Sequence, residues 1–176
     1  MKIYDVSSPL YEGMPVYPGD PKFEREEIPA GDAVISKLSL STHTGTHIDA
    51  PSHYISGASG IDAVPLEQLI CRVEVTEFPE FSGDVPAVFF KHAQEFSIEL
   101  AKRLCSSGIT AVGCDSDSVG DTAVHKMLLE NNIAIIENLC LESVPCKEFL
   151  MAALPLRIVS ADAAPARVVL LDEVMI

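Results

Sequence analysis

Residues 109–139, "ITAVGCDSDSVGDTAVHKMLLENNIAIIENL", decide the fold of this chain. The segment opens with a short apolar run at 109–114 that is typical of a buried strand. Residues 121–132 are predicted to form a helix, with Asp121 as the candidate N-cap. A second apolar run at 133–139 predicts another strand. Strand, helix and strand with short connections form a βαβ unit, which implies a parallel pair of strands and a right-handed crossover.

The flanking segments add more strands than helices. Further strands are predicted at 33–42, 70–77, 86–90, 154–160 and 166–172, and a further helix at 97–108. Prolines at positions 9, 15, 18, 21 and 29 predict an extended N-terminal arm without a helix. The fold class is therefore α/β, with a mixed sheet, one βαβ unit and a proline-rich N-terminal arm.

Length and composition limit the class of protein. The 176 residues fit one domain over 1–176, and the apolar fraction of 48% argues against disorder. No apolar run is long enough to cross a bilayer and the first residues do not resemble a signal peptide, so we expect a cytoplasmic protein without a membrane partner. A net charge of −14 without a basic cluster also disfavours nucleic acid. Five scattered cysteines without a C-x-x-C pair favour neither a disulfide framework nor a cysteine zinc site.

Residues 41–54, "STHTGTHIDAPSHY", contain three of the five histidines of the chain. His43, His47, Asp49 and His53 combine imidazole and carboxylate groups, which are common ligands of zinc, manganese and iron. Threonine, glycine and proline disfavour a helix here. We therefore expect an irregular loop at the end of a strand, which points several side chains at one metal ion.

Spacing alone leaves the composition of this site open. His43, His47 and Asp49 would supply three ligands, as in catalytic metal sites that keep one coordination position free. His53 is then either a fourth ligand or a free acid–base group. The hydroxyl side chains around them would cap turns or hold the outer ring nitrogens of the ligands.

The βαβ unit adds two further candidate ligands. His125 lies in its helix, and Glu137 lies at the end of its second apolar strand. A glutamate that leaves the core in this way needs a partner, and a cation is one. Taken singly, His125 is more typical of a surface helix residue, and Glu137 fits an exposed strand end equally well.

The histidine-rich segment resembles a known family signature. "HTGTHIDAPSH" at 43–53 is similar to the signature of the metal-dependent cyclase-like hydrolases, the family that includes bacterial kynurenine formamidase and isatin hydrolase. The arm at 4–21, the segment at 111–145 and the closing segment at 149–171 also resemble that family. The resemblance covers most of the chain, although the region at 90–98 is shorter than in the formamidases.

The resemblance implies a barrel-like central sheet and a binuclear metal site. The implied ligands are His43, His47 and Asp49 for the first ion, and His125, Glu137 and a bridging Asp49 for the second. His53 would act beside them as the acid–base group. The implied metals are two zinc ions, with manganese as the alternative, and the implied assembly is a homodimer or homotetramer.

The implied activity is that of an arylformamidase, a hydrolase that acts on carbon–nitrogen bonds other than peptide bonds. A metal-activated water would cleave a small aryl formamide such as N-formylkynurenine, in tryptophan catabolism, with His53 as the acid–base group. The alternatives are the opening of a cyclic amide such as isatin, or the hydrolysis of another small carbonyl compound. A metal- or ligand-binding domain without turnover is the competing non-enzymatic hypothesis.

Overall fold

The computed structural model describes residues 1–172. The strands within them are β1 (Lys2–Asp5), β2 (Glu24–Ala30), β3 (Ala33–Ser39), β4 (His47–Asp49), β5 (Ile70–Glu77), β6 (Ala87–Lys91), β7 (Ala111–Cys114), β8 (Ala134–Glu137), β9 (Lys147–Pro155) and β10 (Ala163–Asp172). The helices are α1 (Leu66–Leu69), α2 (Ile98–Ser106) and α3 (Thr122–Glu130).

Seven of the strands close into a barrel. Their order is β10, β4, β8, β7, β6, β5 and β9, and the ring closes because β9 pairs with β10 as well as with β5. Strands β5 to β8 run parallel to one another, and the other pairings are antiparallel. Strand β1 extends the sheet by pairing with the last residues of β10. The predicted α/β class with a mixed, barrel-like sheet is confirmed.

Both faces of the barrel sheet are buried. Along β6, Ala87 and Phe89 belong to the apolar cluster inside the barrel, whereas Val88 and Phe90 pack in the cluster that includes residues of α2 and α3. A strand that is covered on both faces has no solvent side and therefore shows no alternation of polar residues. This explains the continuous apolar runs that the sequence shows in its central part.

The βαβ unit predicted from residues 109–139 is present as β7, α3 and β8, with the two strands in parallel. The carboxylate of Asp121 accepts hydrogen bonds from two backbone amides of the first helical turn, at 2.9 and 3.0 Å, and so caps α3 as predicted. The connection brings the start of α3 to the carboxyl end of β8. His125 and Glu137 meet there.

Two predicted strands differ from the structure. The strand predicted at 154–160 is wrong, because β9 ends at Pro155 and an irregular connection follows. Pro155 has no amide hydrogen to donate to a ladder, and the apolar residues after it are exposed. The strand predicted at 33–42 ends earlier, at Ser39, and pairs with β2 in a hairpin whose strand residues are all exposed.

The N-terminal arm is extended, as its prolines predict. Residues 1–40 form strands and turns without a helix. Strand β1 joins the barrel sheet, and the following residues cross toward the histidine-rich loop before the chain enters the exposed hairpin. Among residues 1–172, no helix has the length and apolar character that spanning a membrane requires.

Candidate metal centre

The candidate metal centre is built on β4, a three-residue strand between β10 and β8. Side chains alternate along a strand, so His47 and Asp49 point to one face while Ile48 packs in the barrel interior. The strand register places His47 directly opposite Glu137 on β8. The sequence pattern His-Ile-Asp therefore sets an imidazole and a carboxylate beside the glutamate that ends the neighbouring strand.

Backbone carbonyl groups fix the ring orientation of two histidines. Nδ1 of His47 donates to the carbonyl oxygen of Gly45 at 2.8 Å. Nδ1 of His125 donates to the carbonyl oxygen of Asp121 at 3.0 Å. Because a carbonyl only accepts, Nδ1 carries the hydrogen in both rings and, in the neutral imidazole, Nε2 keeps a lone pair. Metal-binding histidines are commonly held in this way.

The Nε2 atoms of these two rings meet two carboxylates. Nε2 of His47 lies 3.3 Å from Oε2 of Glu137 and 3.5 Å from Oδ1 of Asp49. Nε2 of His125 lies 3.2 Å from Oε1 of Glu137 and 3.8 Å from Oδ2 of Asp49. Each of the four residues is at most 4% exposed. Four ionisable groups with so little solvent are costly to bury unless opposite charges or a cation compensate them.

His43 joins this cluster from the loop before β4. Its Nδ1 lies 3.1 Å from Oδ1 of Asp49. Gly45 shapes the loop, since its φ is +65° and a Cβ at this position would lie 2.5 Å from a side-chain methyl of Leu10. The glycine of the signature thus lets the chain turn so that His43 and His47 face the same carboxylate.

Buried atoms without partners mark the middle of the cluster. Within the described residues, Nε2 of His47 and both carboxylate oxygens of Asp49 are buried and lack a hydrogen-bond partner. Buried polar atoms normally have one, so these three need an explanation. A divalent cation would satisfy all of them, and imidazole with carboxylate is a donor set that suits zinc or manganese. The residues present therefore fit a divalent metal.

The charges within the cluster depend on one another. Burial would raise the pKa of Glu137, but its close contacts with His125 and His47 outweigh burial and lower the pKa to about 2. Burial would likewise lower the pKa of His47 and of His125, yet their contacts with Glu137 and the charge of Asp49 raise both. In the metal-free protein, protons on the histidines thus take the place that cations would have between the carboxylates.

Asp162 lies beside two of the histidines, and the sequence did not predict it. Its Oδ2 is 3.0 Å from Nε2 of His43 and 3.4 Å from Nδ1 of His53. Burial would lower the pKa of His43, but Asp49 and Asp162 together raise it to about 9. Asp162 precedes β10 among alanines, and nothing in that segment distinguishes it from a polar turn residue.

His53 differs from the other site histidines in its protonation. It ends a short 3₁₀ helix (Pro51–His53), and its ring centroid lies 4.3 Å from that of His43. Burial is the main reason that the pKa of His53 falls below its usual value, since it outweighs the attraction of the Asp49 charge. With a side chain that is 26% exposed, His53 presents a neutral imidazole to the cavity.

A cavity of about 800 Å³ opens onto this cluster. Its walls come from the N-terminal arm, the histidine-rich loop and the loop before α3. Its larger apolar and aromatic lining residues are Tyr11, Met14, Val16, Tyr17 and Tyr54. The sequence did not predict them, although Tyr54 directly follows the signature, and its ring centroid lies 5.0 Å from that of His125. Apolar walls beside a few convergent polar groups are typical of a small-molecule site.

The structure brings all six predicted site residues to this one place. Ligand atoms within 4.8 Å of one another form three sets among the described residues. Two share Asp49, namely His43 with His47 and Asp49, and His125 with Glu137 and Asp49, and the third is His43 with His53 and Asp162. His125 is not a surface residue, although a single histidine on a helix is more typical of one. It is 3% exposed, because the face of α3 that carries it packs toward β8. Glu137 is likewise buried and not an exposed strand end.

The chain is similar to a known family and to a named enzyme. Residues 4–88 match the family model described as "Putative cyclase". The kynurenine formamidase of Polaromonas naphthalenivorans (strain CJ2) is 32% identical over 202 residues, which cover 97% of this chain and 91% of that protein. The likeness therefore extends over the histidine-rich loop and the βαβ unit alike.

Solved structures share the fold. A protein described as a predicted metal-dependent hydrolase from Bacillus stearothermophilus is 33% identical, with a TM-score of 0.79 over 96% of this chain and 97% of that one. Isatin hydrolase A from Labrenzia aggregata has a TM-score of 0.79 at 20% identity, over 96% and 93% of the two chains. At that lower identity the likeness concerns the fold alone.

Proposed function

The chain belongs to the cyclase family and is a metal-dependent hydrolase, and on this premise we propose that it hydrolyses a small aryl formamide of the N-formylkynurenine type. The observation that carries the proposal is the pair of unpaired Asp49 oxygens, which belong to two of the sets of candidate ligand atoms. The kynurenine formamidase that is 32% identical over most of both chains supports a formamide as the substrate. Addition of water to the formamide would release formate and an arylamine.

The proposed site holds two divalent ions, with zinc as the first choice and manganese as the alternative. His43, His47 and Asp49 would hold one ion, and His125 and Glu137 would hold the other together with Asp49. The division follows from the two of the three sets of ligand atoms that contain Asp49, the residue with unpaired buried oxygens. Each set contains both imidazole and carboxylate, the donors that these metals accept.

Divalent ions bound there would supply Lewis acidity, which polarises a carbonyl group and acidifies water. The chain itself provides the orientation. Backbone carbonyls hold His47 and His125 with Nε2 toward the carboxylates. The near-complete burial of the cluster limits solvent, which strengthens every electrostatic interaction inside it.

His53 is assigned the proton transfers. Its lowered pKa leaves the ring neutral near pH 7, so that it can accept a proton from the attacking water. The same proton is then available for the nitrogen that leaves, which must be protonated before it departs as an amine. A position at the wall of the cavity, beside but not among the buried ligands, suits a group that exchanges protons with substrate.

The cavity walls support an aromatic substrate. Tyr11, Tyr17 and Tyr54 all line the cavity, and aromatic side chains offer large, stiff surfaces for stacking. The volume of about 800 Å³ is within the range of small-molecule sites. The substrate ring would lie between the N-terminal arm and the histidine-rich loop, with its formamide toward Asp49.

A substrate panel with defined metal content tests this proposal. The protein is stripped with a chelator, reloaded with zinc or manganese, and assayed with N-formylkynurenine, formanilide and isatin. We expect metal-dependent release of formate from the first two and little ring opening of isatin. Preferred turnover of isatin would favour the cyclic-amide alternative. Metal binding without turnover of any compound would favour the non-catalytic domain and overturn the proposal.

The proposal also includes a cytoplasmic homodimer or homotetramer over one domain, 1–176. The β2–β3 hairpin supports an assembly, because an isolated two-stranded sheet is marginally stable in water and its apolar residues Ile28, Val34, Ile35 and Leu38 are exposed. Light scattering on the purified protein measures the state. A monomer at micromolar concentration would contradict this part.

A further inference from the structure

We propose that Asp162 is a positioning residue, whose single carboxylate orients both the metal ligand His43 and the proton-transfer residue His53. The part that concerns His53 rests on the function proposed above. The part that concerns His43 requires only the metal site. The placement, the contacts and the partial exposure of Asp162 each support the proposal.

The barrel places Asp162 next to the ligand strand. Strand β10 pairs with β4 so that Ala163 lies opposite Asp49. Just before this pair, the backbone carbonyl of Asp162 accepts a hydrogen bond from the amide of Ala50 at 2.8 Å. Asp162 is therefore tied to the backbone that carries the shared metal ligand, and its position relative to that ligand is fixed by the sheet.

A threonine holds the Asp162 carboxylate in one orientation. Oγ1 of Thr42 donates to Oδ1 of Asp162 at 3.0 Å. This leaves the other oxygen, Oδ2, facing the two histidine rings. The carboxylate thus has one anchored oxygen and one oxygen that is available to orient other groups.

His43 uses that oxygen to present its opposite ring nitrogen. Nε2 of His43 donates to Oδ2 of Asp162 at 3.0 Å, while Nδ1 lies 3.1 Å from Oδ1 of Asp49. A neutral ring that donates from Nε2 keeps its lone pair on Nδ1, on the side of the metal site. His47 and His125 are held the other way round, through Nδ1 and a backbone carbonyl. Without Asp162, His43 would have no comparable constraint on its tautomer.

His53 faces the same oxygen. Its Nδ1 lies 3.4 Å from Oδ2 of Asp162. With Nδ1 directed at a carboxylate, Nε2 is the ring nitrogen that remains for proton transfer. The rings of His43 and His53 are 4.3 Å apart between centroids, so one carboxylate oxygen can serve both.

Exposure separates the role of Asp162 from that of Asp49. The Asp162 side chain is 44% exposed, whereas that of Asp49 is 1% exposed. Both oxygens of the partly hydrated Asp162 carboxylate have hydrogen-bond partners, Thr42 on Oδ1 and His43 on Oδ2. Asp49 lacks them. Asp49, on β4, thus serves to bind metal, and Asp162, just before β10, serves to orient the residues around it.

The first test is zinc affinity and turnover of Asp162→Asn, which keeps the shape but removes the charge. We expect the dissociation constant for zinc to rise or kcat to fall by about 10- to 100-fold, the usual cost of losing a partner of a metal-bound histidine, with KM changed less than threefold. Asp84→Asn, an exposed aspartate that does not line the cavity, is the control. Values of Asp162→Asn within twofold of that control would overturn the proposal.

The second test asks whether Asp162 acts through His53. In the His53→Ala background and at saturating zinc, Asp162→Asn should lower kcat less than twofold, because His53 is gone and weaker zinc binding through His43 is compensated by excess zinc. A full, multiplicative loss in that background would overturn the His53 part. If the unaltered protein hydrolyses no formamide, the function proposed above fails, and zinc affinity still decides the His43 part.

The third test reads the tautomer directly and covers the case in which Asp162→Asn folds poorly. Nitrogen-15 NMR of the zinc-loaded protein should show His43 protonated on Nε2 with Nδ1 bound to zinc. Thr42→Val, which removes only the anchor of the carboxylate, should make the Nε2 proton exchange faster. A zinc-bound His43 that is protonated on Nδ1 would overturn the proposal.

Discussion

The candidate site has two regions that differ in depth. The deep set consists of Asp49, His125 and Glu137, each at most 4% exposed. The shallow set consists of His43, His53 and Asp162, with side chains that are 17%, 26% and 44% exposed. The deep set lies on β4, β8 and the start of α3, whereas the shallow set lies on the segments before and after β4 and just before β10.

This difference shows how one barrel edge can support two tasks. Buried strands hold ligands rigidly and exclude water, which favours tight binding of a cation. Loops at the edge keep imidazole groups in reach of substrate and solvent, which proton transfer requires. Changes in the deep set should therefore remove metal, whereas loss of His53 from the shallow set should alter turnover and its dependence on pH without removing metal.

The largest effect is expected for Asp49→Ala, because Asp49 is a candidate ligand of both proposed ions, the one held with His43 and His47 and the one held with His125 and Glu137. Activity should fall to the level of the uncatalysed reaction, and the metal content of the purified protein should fall with it. Metal content by mass spectrometry and formate release measure the two effects. Asp32→Ala, in the turn of the exposed hairpin, is the control. Full metal occupancy in Asp49→Ala would contradict the bridging role.

His53→Ala should separate turnover from metal binding. Loss of the acid–base group is expected to lower kcat by about 10²- to 10⁴-fold, while metal content stays near that of the unaltered protein. His92→Ala removes an exposed histidine outside the cavity and should leave both values unchanged. Retained activity in His53→Ala would show that His53 does not transfer protons in the reaction. A loss of metal that accounts for the loss of activity would show that His53 acts through metal binding.

The pKa of His43, about 9 in the metal-free protein, predicts a pH dependence of metal affinity. Metal must displace this proton, so the apparent affinity should rise about tenfold per pH unit between pH 7 and 9. The same raised pKa stabilises the metal-free fold below pH 6.5, the usual value, and this contribution is lost as the pH rises through about 9. Hence the melting temperature of the chelated protein should fall over this interval.

Melting curves with and without zinc at pH 7, 8 and 9 check this prediction. The increase in melting temperature that zinc produces should grow with pH. An increase that stays constant or shrinks would mean that no histidine proton is displaced. The variant Asp162→Asn sharpens the test, because loss of one of the two carboxylates beside His43 should bring the pKa down and weaken the pH dependence.

The smallest effect is expected for the two glycines Gly45 and Gly31. Both have a positive φ, +65° and +66°, so substitution by alanine should cost about 1–2 kcal/mol of stability at each. Only Gly45→Ala should also weaken metal binding, because its Cβ would meet Leu10 and its carbonyl orients His47. Urea denaturation and chelator competition measure the two effects. Equal metal affinity in both variants would show that the loop does not set the ligand geometry.

The spacing of the signature predicts His43, Asp49 and His53, whereas His125 and Glu137 taken singly fit surface positions and nothing in the sequence predicts Asp162. The βαβ unit with its Asp121 cap follows from local signals, and it brings His125 to Glu137. The alternation along β4 also places two ligands on one face, although the sequence predicts an irregular loop there and not a strand. These are consequences of helix and strand periodicity, which act over a few residues.

The contacts of Asp162 depend instead on which strands are neighbours. Residues 43 and 162 are brought together by the pairing of β4 with β10, and no short motif encodes that pairing. The same limitation explains the wrong strand at 154–160, since only Leu154 and Pro155 pair with β10, as the end of β9, and the apolar residues after them are exposed. Long-range sheet order is thus the part that required a structure.

Anomalous diffraction from crystals of the zinc-loaded protein, recorded at the zinc absorption edge, tests most directly whether five side chains hold a pair of ions. We predict two anomalous peaks on either side of the Asp49 carboxylate, one beside His43 and His47 and the other beside His125 and Glu137. A single peak would contradict the binuclear site, and peaks away from Asp49 would contradict the assignment of the metal centre altogether.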